Sequence, residues 1–190
     1  NEGLYKVARK FGNDEGRFEI ITALNSFHGR TLASIAATGQ EKVKKGFGPA
    51  TPGFRHVPYN DLEAVRQAIS PATVAVMIEC VQGESGITPA TPEYLLGLRK
   101  LCDEKRMLLL LDEVQGSFFR TGQFASYQRI LQGVRGAENF LPDAVSWAKS
   151  TSPTFPARSR MRLASFPART STSPSTAAAT CRRATWASWT

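Results

Sequence analysis

Residues 106–115, Arg-Met-Leu-Leu-Leu-Leu-Asp-Glu-Val-Gln, decide the fold. Five consecutive apolar residues, 107–111, stand between Arg106 and Asp112. Such a run suits a strand covered on both faces, as in a parallel sheet. In open α/β sheets ligands bind beyond the carboxyl ends of the strands, so Asp112, Glu113, Val114 and Gln115 fall where a binding site is expected.

The same pattern recurs on either side. Upstream, Val-Ala-Val-Met-Ile at 74–78 is a second apolar strand, ending in Glu79 and the loop Cys-Val-Gln-Gly-Glu-Ser-Gly at 80–86. Between the two strands, Thr91, Pro92 and Glu93 have the order of an N-cap, first-turn proline and acidic first turn, and Leu95, Leu98 and Cys102 share one helical face. Further upstream, residues 18–24 predict a strand, Asn25 and Ser26 a turn, and residues 30–38 a helix. A Gly/Pro-rich connection, 46–58, leads to a short helix capped by Asn60 or Asp61, with Leu62, Val65 and Ile69 inward. Leu4, Val7, Ala8 and Phe11 mark an amphipathic helix at the start. Downstream, the turn Leu141, Pro142, Asp143 precedes an apolar segment, 144–148, that ends at Lys149. Strands alternating with helices predict an α/β fold, a mostly parallel sheet flanked by helices.

With 190 residues, 42% of them hydrophobic and 21% charged, the chain has the composition of a globular protein. Its net charge of +8 would suggest nucleic acid if it belonged to the folded part. Residues 151–190, however, hold six Arg and no Lys, Asp or Glu, leaving the first 150 with 18 basic and 16 acidic groups, a net +2. Nucleic-acid binding loses its support, and no run of apolar residues is long enough for a membrane helix. Three cysteines, Cys80, Cys102 and Cys181, make no CxxC pair and no metal-ligand spacing, which points to a reducing compartment and no metal. The first residue is Asn rather than Met, as expected of a segment from inside a larger protein. Residues 151–190 are a low-complexity tail of Arg, Ala, Ser, Thr and Pro, read as an out-of-frame translation of GC-rich DNA or as a disordered basic tail.

Four polar positions follow the predicted strands: Ser26 to Arg30, Glu79 to Glu84, Asp112 to Gln115, and Lys149. Singly each is ordinary. A strand-end lysine is most often a solvated cation and an Asp there a cap. Phe27 alone would be core, His28 a hydrogen-bonded structural histidine, and Glu84 a loop carboxylate. Their joint arrangement gives them functional weight.

Taken together, Asn-Ser-Phe-His-Gly-Arg-Thr at 25–31, Glu-Cys-Val-Gln-Gly-Glu at 79–84, Leu-Asp-Glu-Val-Gln at 111–115, Arg-Thr-Gly at 120–122 and Pro-Asp-Ala-Val-Ser-Trp-Ala-Lys at 142–149 resemble class III pyridoxal-phosphate aminotransferases. Within that family the resemblance is to the acetylornithine type, with the ornithine and 4-aminobutyrate types as near relatives. It covers residues 1–150, well under half of a family member.

The resemblance implies part of the large cofactor-binding domain of a fold-type I transferase, with pyridoxal 5′-phosphate as cofactor. Lys149 takes the place of the lysine that bonds the cofactor aldehyde and shuttles a proton between substrate and cofactor carbons. A lysine attacks only when neutral, a form that burial favours. Asp112 matches the carboxylate that pairs with the pyridine nitrogen and keeps the ring an electron sink. Phe27 matches the stacking aromatic, Gln115 the side chain near the phenolic oxygen, and Glu113 and Val114 belong to the same cofactor-binding segment. Arg30 matches an arginine for the substrate carboxylate, and Glu84 a gating carboxylate. The implied reaction moves the δ-amino group of N-acetylornithine to 2-oxoglutarate by a ping-pong route, in a cytoplasmic homodimeric enzyme of arginine biosynthesis. Rival expectations are ornithine or 4-aminobutyrate as amino donor, a noncatalytic binding protein sharing the fold, or a gene remnant.

The chain departs from the family in two places. Gly116, Ser117, Phe118 and Phe119 stand where Thr-Gly and two further residues usually do, and Thr151, Ser152 and Pro153 do not supply the Leu-Gly-Gly-Gly turn that follows the lysine. Because glycine turns normally hold the cofactor phosphate, the 190-residue chain alone is expected to be inactive and poorly folded.

Overall fold

The computed structural model describes residues 1–149 and 162–163; the rest of the low-complexity tail, and both readings of it, lie outside the described residues. In chain order the elements are α1 (Glu2–Gly12), β1 (Glu19–Ala23), α2 (Leu32–Ala37), α3 (Glu41–Lys44), β2 (Phe54–Val57), α4 (Leu62–Ala68), β3 (Thr73–Glu79), β4 (Val81–Gln82), β5 (Thr88–Pro89), α5 (Pro92–Lys105), β6 (Leu108–Asp112), α6 (Ser126–Ile130), β7 (Ala144–Ser146) and β8 (Arg162–Leu163). Five strands run parallel in the order β2-β1-β3-β6-β7, and β8 joins β7 antiparallel. This is the α/β architecture that the apolar runs predict.

The period of two along each strand sorts the core into two layers. Val76 and Ile78 of β3 and Leu109 and Leu111 of β6 pack with Leu95, Leu98, Leu101 and Cys102 of α5 and Val65 of α4. Ala75 and Met77 of β3 and Leu108 and Leu110 of β6 pack on the other side with Leu4, Tyr5 and Ala8 of α1. Every residue of β3 and β6 is buried. At ~1.5–3 kcal/mol for each large apolar side chain removed from water, these two strands anchor the sheet. The same alternation puts Glu79, Asp112 and Ser146 on the α1 side.

Local signals set most helix ends. Thr91 accepts from Tyr94 N–H and Pro92 opens α5, while Asp61 accepts from Ala64 N–H at the start of α4. Asp61, not Asn60, is the cap. Arg106 closes α5 in the left-handed conformation (φ 52°).

The connection at 46–58 contains a strand that its sequence hides. Phe54–Val57 lies parallel to β1 at the sheet edge, with Ile20 opposite Phe54 and Ala23 opposite Val57. Only Val57 of the four is buried, so the apolar signal of a covered strand is missing. The loop at 80–86 likewise holds β4, which pairs antiparallel with β5. The strand before Lys149 is shorter than the run 144–148 suggests, ending at Ser146. Among the described residues no helix is long and apolar enough to cross a membrane.

Candidate active site

Register draws three polar residues into one row. Glu79 of β3 pairs with Asp112 of β6, and Asp112 pairs with Ser146 of β7. All three stand at the carboxyl edge, on the face where α1 begins. Asn1, the residue before α1, reaches into the row: its Nδ2 donates to Asp112 Oδ2 at 2.6 Å, and its Oδ1 accepts from Ser146 Oγ at 2.6 Å. The positive end of the α1 dipole therefore faces the Asp112 carboxyl group.

Asp112 is the hub. It is 6% exposed. Beyond Asn1, its Oδ2 lies 2.8 Å from His28 Nδ1, its Oδ1 accepts from Val114 N–H at 3.1 Å, and Ser146 Oγ stands 3.5 Å from Oδ1. The other ring nitrogen, His28 Nε2, is buried with no hydrogen-bond partner. The polar commitment of the imidazole is thus to Asp112, which it fixes in place. A carboxylate so anchored, with a remnant of exposed surface at a strand end, suits a cationic ring nitrogen.

Phe27 and His28 sit on a loop that is tied down from several sides. Phe27 N–H donates to Glu79 Oε2 at 3.0 Å, His28 N–H to Thr38 Oγ1 at 2.9 Å, and the His28 carbonyl accepts from Asn1 Nδ2 at 2.7 Å. Gly39 passes so close that a Cβ there would stand 2.1 Å from the Ala23 carbonyl oxygen. Phe27 is half-buried, and the Arg30 guanidinium carbon lies 5.6 Å from its ring centroid.

Two other carboxyl groups are buried here. Burial pushes the Glu79 carboxyl up to about 7, against the opposing pull of His28 and of the Phe27 N–H. Burial also raises Glu113, which turns away from the edge and accepts from Ser126 N–H and Tyr127 N–H, each at 3.0 Å. Glu113 thereby holds the start of α6. The Cys80 thiol, buried beside it, is pushed well above its usual range by burial and then by Glu113.

The remaining expected site residues fall on the same edge in two groups. Gln115 Nε2 donates to Glu84 Oε1 at 2.9 Å, so the loops after β4 and β6 are joined through these two side chains. Lys149 follows Trp147 and Ala148 past the end of β7, with an exposed side chain and a left-handed backbone (φ 56°). Its carbonyl accepts from Arg120 Nη2 at 2.6 Å. Val114 contributes its N–H to Asp112. Residues that the sequence does not single out are Asn1 and Ser146. Asn1 has the composition of a helix N-cap, and Ser146 is the one polar residue inside an apolar strand; those were the available signals.

A doubly covered parallel sheet with a clamped carboxylate, an aromatic loop and a lysine at its carboxyl edge defines an α/β protein built to hold a ligand there. The family model for class III aminotransferases matches residues 1–176, and the chain belongs to that family. The match continues past Ser150, where the motif resemblance ends. Acetylornithine aminotransferase from Myxococcus xanthus is 50% identical over 153 residues, covering 79% of this chain and 36% of that protein. The acetylornithine aminotransferase of Caldanaerobacter subterraneus is 47% identical over 159 residues, covering 82% and 38%. Among solved structures, a transaminase from the marine bacterium Virgibacillus superposes with a TM-score of 0.74 at 27% identity, covering 86% of this chain and 38% of that one. Ornithine aminotransferase from Toxoplasma gondii, whose structure has PLP at partial occupancy in its active site, superposes with a TM-score of 0.69 at 29% identity, covering 77% and 34%. The chain spans little more than a third of the curated relatives it matches.

Proposed function

We propose that residues 1–150 form part of the cofactor-binding domain of a pyridoxal-phosphate-dependent aminotransferase that moves the δ-amino group of N-acetylornithine to 2-oxoglutarate. The observation that carries this reading is Asp112, a buried carboxylate clamped by His28 and Asn1 on the strand next to the one that leads to Lys149. When bound, the cofactor supplies a carbonyl carbon that takes up the amino group and a protonated ring that draws electrons from the reacting carbon.

Asp112 would hold the ring nitrogen, and its three donors, Asn1 Nδ2, His28 Nδ1 and the Val114 N–H, keep it from turning away. Phe27 would flank the ring, fixed by the Glu79 contact at its N–H. Lys149 Nζ would bond the cofactor's carbonyl carbon and carry the proton between substrate and cofactor carbons. Arg30, at the exposed end of the same loop, would take the substrate carboxylate, and Gln115 with Glu84 would close the other side. Glu113 and Val114 serve this site from behind, one through α6 and one through its N–H. The identity to two acetylornithine enzymes favours that donor over ornithine or 4-aminobutyrate. The complete protein is proposed to act as a cytoplasmic homodimer.

Mixing full-length protein with pyridoxal phosphate tests this reading. A visible absorption band is expected, absent in Lys149→Ala, together with turnover that prefers acetylornithine. Equal or better turnover with 4-aminobutyrate overturns the donor, and no band in the parent overturns the cofactor.

A further inference from the structure

The loop 24–28 has little regular structure, yet side chains from several elements hold its backbone. Gln82 Nε2 donates to the Leu24 carbonyl at 3.0 Å, Ser85 Oγ to that of Asn25 at 3.0 Å, and Gln40 Nε2 to that of Ser26 at 3.1 Å. Glu79 takes the Phe27 N–H, Thr38 the His28 N–H, and Asn1 the His28 carbonyl. Of these holders only Glu79 can ionise.

We infer that Glu79 is a positioning residue for the Phe27 ring: its carboxyl group, fixed on β3 in register with Asp112, accepts the Phe27 N–H and sets where the aromatic ring stands relative to the Asp112 carboxylate. The case rests first on placement. Glu79 ends a strand whose other residues are all buried, and it is itself only 4% exposed. Burying a carboxyl group is costly unless it is hydrogen-bonded. Its side-chain bond to Phe27 N–H meets that need, while its backbone carbonyl accepts the Tyr59 hydroxyl at 2.7 Å and pins the strand end. His28 from the loop, Asp112 from β6, Glu84 from the loop after β4, Cys80 next along the chain and Tyr59 after β2 are the titratable groups that face it.

Burial, reinforced by Asp112 and Glu84, brings its titration near neutrality. Above that point the Phe27 bond is charge-assisted; below it a neutral carbonyl oxygen accepts more weakly. The hold on the ring therefore tightens as pH rises through about 7. The bearing of this on catalysis rests on the aminotransferase reading; the bearing on the loop does not.

Hydrogen exchange at the amides of residues 26–28, measured on the full-length protein without added cofactor, tests the inference. Glu79→Met removes the acceptor, and protection at Phe27 is expected to fall about tenfold, the equivalent of one ordinary hydrogen bond. Glu79→Gln keeps an acceptor oxygen; protection is expected to stay within about threefold of the parent at low pH and to lose the added protection the parent gains near neutrality. With pyridoxal phosphate added, the visible circular dichroism of the bound cofactor is expected to change in Glu79→Met and to be restored in Glu79→Gln. Unchanged protection at Phe27 in Glu79→Met, or a Glu79→Gln protein that keeps the parent's pH step, overturns the assignment. Failure of the parent to bind cofactor defeats the aminotransferase reading alone, because exchange still decides the role of Glu79.

Discussion

His28 Nδ1 lies 2.8 Å from Asp112 Oδ2, a contact between residues 84 positions apart that both side chains make out of solvent. It ties the loop after β1 to the end of β6, so the ring-flanking and charge-pairing groups of the proposed site move together. Removing the imidazole in His28→Ala is expected to cost about 1.5–3 kcal/mol of stability, the range for a hydrogen bond to a charged group. It should also weaken cofactor binding. His28→Asn restores a donor and should recover part of both, measured by urea unfolding and by cofactor titration. Equal losses in the two variants would count against the anchoring role.

Glu113 makes a separate prediction, because its carboxylate faces α6 rather than the strand edge. Glu113→Ala strands two N–H groups, of Ser126 and Tyr127. A loss of about 2–4 kcal/mol in unfolding free energy is expected, with faster hydrogen exchange at 126–127. A near-neutral variant would show that α6 is held by other contacts.

Asp143 sets the register that brings Ser146 beside Asp112. Its Oδ2 accepts from Leu109 N–H at 2.7 Å and from Arg99 Nη1 at 2.8 Å, which joins β7, β6 and α5. Asp143→Ala is expected to destabilise the protein by about 2–3 kcal/mol and to lower cofactor affinity as well, since the row depends on β7. A stability loss without any change in cofactor affinity would separate register from site.

The Glu79 carboxyl gives stability a pH dependence of definite sign. Its ordinary value is 4.5 and the folded protein holds it at about 7. Between these values the folded chain keeps a proton that the unfolded chain has released, so stability falls as pH rises through the window and levels off above it. The shift corresponds to about 3 kcal/mol. Glu79→Gln removes the titration, so its stability relative to the parent is expected to grow from about pH 5 to about pH 8. Urea midpoints for both proteins at the two ends check this; the same difference at each end would contradict it.

How much of this was legible in the residues depends on what each one signals alone. The covered strands β3 and β6 were readable because Val-Ala-Val-Met-Ile and Met-Leu-Leu-Leu-Leu are short apolar runs bounded by polar residues, the length and flanks that suit a doubly buried strand. Thr91 and Pro92 marked α5 by chemistry local to its first turn. β2 was not legible, because an edge strand with one buried residue lacks an apolar run and sits among Gly and Pro. Asp112 and Lys149 drew notice as polar residues at strand ends. His28 was visible as a residue but not as a partner of Asp112, because only the sheet order brings the loop after β1 over β6. The same holds for Asn1 and Ser146, which meet across 145 positions.

The row Glu79, Asp112, Ser146 crosses three strands that are far apart in the chain, and Asn1 bridges two members of it from the helix at the beginning. A one-residue slip of any of these strands would turn its member of the row to the opposite face. The row is therefore incomplete until α1 and β7 have both docked. A ligand that recognises the finished row is in effect an inspector of assembly: it binds completed molecules and ignores those stalled with a strand unplaced.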